Sequence, residues 1–108
     1  MKNEKKAIEA KNDYDILVNR TAFEMKRRFK EKHTMKGDWK KLKESEIYEN
    51  MVKNMDKALI MTNAKNALPT SSSAERQERT QFLMNIIDQL ADASNYCAML
   101  IYKAAEKI

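Results

Sequence analysis

The sequence predicts an all-α protein, an antiparallel bundle of three main helices plus a short connecting helix. Three observations carry that expectation. The 108-residue chain has one glycine and one proline, so little interrupts regular structure. Lys, Glu, Ala, Met and Leu, all strong helix formers, supply much of the rest. Apolar residues recur at three- and four-residue steps, most clearly from Phe82 to Ile101 (FLMNIIDQLADASNYCAMLI).

Residues 1–12 are polar and fray or extend the first helix. From Asp13 onward Tyr14, Leu17, Val18, Thr21, Met25 and Phe29 keep helical spacing, which predicts an amphipathic helix to about Lys32. His33 follows, where a lone imidazole suits a cap or dipole partner better than a catalytic base. The stretch HTMKGDW reads as the first turn, with Gly37 available for positive φ, Asp38 able to cap the next helix and Trp39 packing the corner. KKLKESE then leads into a second helix whose repeat is Ile47, Tyr48, Met51, Met55, Ala58, Leu59 and Thr62, the methionines filling gaps in a core.

The segment from Asn63 to Glu75 holds the proline and a serine triplet and reads as a loop. One of Ser71, Ser72 or Ser73 caps a long last helix, with Glu75 or Glu78 in its first turn. That helix reaches Lys107 with no breaker, roughly 50 Å at about 1.5 Å per residue. Two shorter partners cannot cover it, so either it breaks once or the protein is a homo-oligomer, a dimer or tetramer.

On this helix Leu83, Ile86, Leu90, Ala93, Cys97 and Leu100 form an apolar face, and Asn85, Asp88, Gln89, Asp92 and Asn95 a polar row on another. The row faces water or lines a site between helices. Cys97 is the only cysteine, which excludes an intrachain disulfide and suits a small core residue.

The net charge is +5 and the pI about 9.3. The segment from Lys26 to Lys43 alone carries +7. Lys26, Arg27, Arg28, Lys30, Lys36, Lys40 and Lys41 make it a candidate phosphate or nucleic-acid surface, or simply a solvated helix end. The chain fits one domain spanning 1–108, and no uncharged run reaches eighteen residues. The expectation is a soluble, cytoplasmic protein with no membrane partner. Gly-rich phosphate loops, zinc-type Cys/His clusters and common catalytic signatures are missing, so no catalytic residue is assigned.

Octahedral magnesium needs hard oxygens converging from more than one helix. Asp88 and Asp92 on the long helix, with Asp56 on the second, are the candidate metal set. Glu46 and Glu49 lie nearby.

The segment KRRFKEKHTMKGDWKKLKESEIYENMVKNMDKAL, followed by DQLADASNYCAMLIYK, resembles the small MazG-like proteins of phages and prokaryotes. The resemblance covers roughly residues 25 to 103. It rests on the basic residues and His33 before the Gly37–Asp38–Trp39 turn, the spacing of the second helix, and Ala91, Asp92, Asn95, Tyr96, Ala98 and Met99. It implies an all-α nucleoside triphosphate pyrophosphohydrolase frame, with an E-E-x-x-E element on the second helix and E-x-x-D on the later one holding magnesium. Asp92 and Asn95 match, but Gln89 stands where the later element has its glutamate. Lys53, Asn54, Asp56 and Lys57 fall where the second helix should carry carboxylates. Lysines there repel a cation and favour a phosphate.

Three candidate functions emerge. The first is a MazG-like protein, phage-encoded in kind, that has lost catalysis and works as a nucleotide-binding or host-protein interaction module without cofactor. Its nucleotide would meet Lys53, Asn54, Lys57, Asp92 and Asn95. The second is a magnesium-dependent pyrophosphohydrolase with an altered ligand set drawn from Glu49, Asp56, Asp88 and Asp92. The third is a basic helical protein that binds nucleic acid, or inhibits a nucleic-acid enzyme, through its basic block.

Overall fold

The computed structural model describes residues 2–31 and 39–108. Among them every regular element is helical: α1 (Lys2–Glu31), a short 3-10 helix (Trp39–Lys41), α2 (Glu44–Ala67) and α3 (Ser73–Glu106). The expected roles of His33, Lys36, Gly37 and Asp38 fall outside the described residues.

Helix α1 begins well before Asp13 because Lys, Glu and Ala dominate its first turns and Glu4 complements the dipole. Lys43 stands at the N-cap of α2 without a side-chain cap, and Glu44 and Glu46 fill the first turn. The expected loop from Asn63 to Glu75 shrinks to residues 68–72. Nothing in Asn63–Ala67 forbids helix, and the chain leaves it only at Leu68 (φ −75°, ψ 134°), which the ring of Pro69 holds extended.

Of the three serines, Ser72 caps α3. Its Oγ accepts from the Glu75 backbone N–H at 3.1 Å, and Glu75 Oε1 accepts from the Ser72 N–H at 3.0 Å, closing a capping box. The helix then runs unbroken for 34 residues.

Five residues of loop make α2 and α3 an antiparallel pair. The C-terminal turns of α3 meet the entry to α2: Tyr102 stacks edge-on against Trp39 (5.4 Å between centroids, 80°), Lys103 Nζ donates to the Lys40 carbonyl, and Lys107 pairs with Glu44. Beneath lies the core of Ile47 and Met99, with Phe29, Trp39, Leu42, Tyr96 and Leu100 packed around it.

Helix α1 does not join that pair lengthwise. It packs on α3. The molecule measures 51 × 46 × 21 Å. The two long dimensions match helices of 34 and 30 residues at about 1.5 Å each, and the third is two helix layers. So α1 lies across the hairpin, anchored by its C-terminal third.

This crossing overturns part of the expected core. Residues 3–21 are exposed throughout, so Tyr14, Leu17, Val18 and Thr21 leave the interior and only Met25 and Phe29 of that stripe are half-buried. On α2, Ile47 and Ala58 are buried and Met51 and Thr62 half-buried, while Tyr48, Met55 and Leu59 are exposed. On α3, Ile86 and Ala93 are buried, but Leu83, Leu90 and Cys97 are exposed. The physical reason is shared: with α1 placed across, one flank of the hairpin has no helix lying along it among the described residues.

Replacing the cap tests the start of α3. Ser72→Ala should lower stability by about 1 kcal/mol in urea titrations, and Ser73→Ala should leave it nearly unchanged. Hydrogen bonding from Ser72, then Ser71, holds the Glu75 carboxyl below its ordinary value of 4.5. A depressed carboxyl contributes stability above pH about 4.5 that is lost as pH falls through the lower folded value. Glu75→Gln should flatten the acid limb of a stability–pH curve in that window.

Candidate functional site

The polar row of α3 faces α1, and two adjacent arginines meet it. Arg28 follows Met25 by three residues and precedes Phe29, which places it on the inner face of α1. Asp88 and Asp92 are one helical turn apart, so both point the same way. Arg28 Nε donates to Asp92 Oδ1 at 3.0 Å and Nη2 to Oδ2 at 2.9 Å, a bidentate pair. The Asp92 side chain is 0% exposed and that of Arg28 15%.

Arg27 serves a second, wetter set of partners. Its Nη2 donates to Asp88, its Nε to Glu24 at 2.8 Å and its Nη1 to Glu31 at 3.2 Å. Arg28 also reaches Glu31 at 3.1 Å and lies 3.7 Å from Asp88. Both guanidiniums are held above their ordinary pKa, Arg27 chiefly by Asp88 and then Glu24, Arg28 chiefly by Asp92.

One turn beyond, Asn95 is buried and its Nδ2 donates to the Met25 carbonyl at 2.9 Å, tying α3 to the backbone of α1. Gln89 completes the row differently: its Oε1 is buried without a hydrogen-bond partner. A neutral amide bears that burial at modest cost, whereas a glutamate there would leave a buried charge beside Asp88 and Asp92.

Magnesium does not fit this arrangement. Both Asp92 oxygens accept from Arg28, Asp88 from Arg27, and Asp56 and Glu49 are exposed on α2. Among the described residues no three His, Cys, Asp or Glu side chains converge on a metal position. Of the set Asp56, Asp88 and Asp92, the structure sets the arginines of α1 against Asp88 and Asp92 as an ion-pair joint and leaves Asp56 exposed on α2.

The nucleotide set divides between exposed and buried positions. Lys53 and Lys57 are exposed, Asn54 is buried on α2, and Asp92 and Asn95 are spent on α1. The basic block loses its arginines to the joint. Lys26 and Lys30 remain exposed, and Lys40 sits over the Trp39 and Tyr102 rings at 5.9 and 5.6 Å.

No family model, curated protein or solved structure matches the chain. What the geometry shows is a set of charged and polar contacts that fasten α1 to α3.

A groove of about 700 Å³ lies beside the joint. Met51 and Met55 form one wall, Leu90, Ala93 and Cys97 the other, and Arg20 and Glu24 the rim at α1. The sequence placed these apolar residues in a core, and the one sign that they line an open face was a final helix too long for its partners.

Breaking the joint tests its weight. Asp92→Ala should cost about 3–5 kcal/mol, since it strands a largely buried guanidinium, while Asp88→Ala should cost about 1 kcal/mol or less. The double variant Asp92→Leu with Arg28→Met should recover most of the loss, read as the midpoint of urea unfolding by circular dichroism.

Proposed function

We propose that this chain is a non-catalytic helical interaction module on a MazG-like frame. The Arg28–Asp92 pair carries this reading. A pyrophosphohydrolase of the resembled kind needs its later-helix carboxylates open to magnesium and a triphosphate, and here a bidentate guanidinium engages both oxygens of the aspartate that matches the family position. Removing Arg28 to admit a cation would mean breaking a buried ion pair, a cost of several kcal/mol before any metal contact forms.

An interaction role also suits the groove flanked by α2 and α3, because apolar surface on that scale is usually covered in the working form of a protein. The nucleic-acid alternative has less support. Arg27 and Arg28, the two residues of the basic block best shaped for phosphates, are committed to carboxylates.

The deciding measurement is pyrophosphate release from a panel of nucleoside triphosphates with magnesium. The expected rate equals the protein-free blank, with no difference between the native chain and Asp88→Asn. Turnover at ordinary enzymatic rates that Asp88→Asn abolishes would overturn the proposal.

A further inference from the structure

The open flank of the hairpin is apolar in a pattern that helix packing imposes. On α3 Leu83, Ile87, Leu90, Ser94, Cys97 and Ile101 follow one another at alternating steps of four and three. All are exposed except Ser94, which is half-buried. On α2 Tyr48, Val52, Met55 and Leu59 repeat the same steps, and all are exposed. A mean step of 3.5 residues is the seam of a helix that packs lengthwise on another helix, each side chain entering a hole of the partner. A flat surface or a small ligand imposes no such step.

The two seams border the groove described above. Its floor is α3, Met51 and Met55 of α2 form one wall, and Arg20 and Glu24 of α1 stand at the other side. Leu83 and Ile101 mark the ends of the α3 seam, about 27 Å apart along the axis. A trough walled on two sides, with a floor of that length, suits one helix of about five turns.

Charge selects the partner. With Tyr48 and Met55 at the d positions of a heptad, the residues that follow them, Glu49 and Asp56, take the e positions, where charges set partner choice. Both are exposed, and neither forms an ion pair with another described residue. The e positions of the α3 seam are Met84, Ala91 and Ala98. The hairpin of a second copy would therefore set neutral residues or further carboxylates against Glu49 and Asp56. A helix with Lys or Arg beside its apolar seam answers both. We propose that this trough is the docking site of a basic amphipathic helix from a different protein.

This inference rests on the interaction-module reading and specifies its partner. The docked helix lays its apolar seam on Leu90, Cys97 and Met55 and sets its basic flank against Glu49 and Asp56. The occupied trough also explains why the spacing of Leu90 and Cys97 reads as core in the sequence while the single chain exposes them.

The test uses a designed probe, a three-heptad peptide with Leu at a and d and Lys at e and g, beside its twin with Glu in place of Lys. Like charges at e and g keep either peptide from pairing with itself. The expected result is that the Lys peptide binds the full chain and slows alkylation of Cys97, on the floor of the trough, at least tenfold. The Glu peptide should bind at least tenfold more weakly. Glu49→Gln with Asp56→Asn should abolish this preference, Glu49→Lys with Asp56→Lys should reverse it, and Leu90→Ala should weaken both peptides, with circular dichroism confirming that each variant stays helical. Equal binding of the two peptides, a preference that both double variants leave unchanged, or binding that leaves Cys97 reactive overturns the proposal. So does a two-chain mass in sedimentation with Cys97 shielded before any peptide is added, since a second copy then holds the trough. Failure of the Lys peptide to bind also overturns it, and leaves the non-catalytic reading standing. Pyrophosphate release by a chain that captures the peptide would remove that reading and leave the docking site intact.

Discussion

The position of α1 depends on one buried ion pair. Asp92 sits fully enclosed, and a carboxylate in that place is tolerable only with its charge and both oxygens answered. Arg28 answers both at once, and its planar fork fixes the angle of approach. The Asn95 bond to the Met25 carbonyl then sets position along the axis. Together they make α1 cross α3 instead of lying beside it. From the crossing follow the two-layer shape and the open flank of the hairpin.

Such a joint adds specificity more than stability. Replacing a buried pair with apolar residues is often neutral or better, whereas losing one partner is costly. Alternatives that slide α1 by a turn separate Arg28 from Asp92 and bury the carboxylate alone. The wetter contacts of Arg27 with Asp88, Glu24 and Glu31 add little each, being partly screened by water. They surround the buried pair with charge of the complementary sign.

Much of the fold was legible in the sequence because helices are decided locally. The serine triplet announced the start of α3, Pro69 its preceding turn, and Trp39 the corner it packs. What local patterns could not give was which apolar face meets which helix. The stripe from Tyr14 to Phe29 is continuous in sequence, yet only Met25 and Phe29 have a partner, since the crossing ends there. Leu90 and Cys97 show the same limit on α3. In the site, the polar row was visible and its counterions were not. Arg27 and Arg28 read as part of an outward basic block, although the spacing from Met25 already placed Arg28 on the inner face. The spacing of Asp88 and Asp92 drew them toward a metal in the sequence, where the structure sets Arg27 and Arg28 against them.

The separation of the joined residues along the chain bears on how the protein is made. Arg28 and Asp92 are 64 positions apart, and Lys107 closes on Glu44 across 63. At roughly 5–20 residues per second, synthesis takes several seconds to pass from one member of each pair to the other. Throughout that interval Arg27 and Arg28 have only the carboxylates of their own helix, Glu24 and Glu31, as partners among those seen in the fold. The polar contacts that seat it on α3 wait for Asp88, Asp92 and Asn95 to be made. The contacts that seat α1 therefore form late relative to its own synthesis.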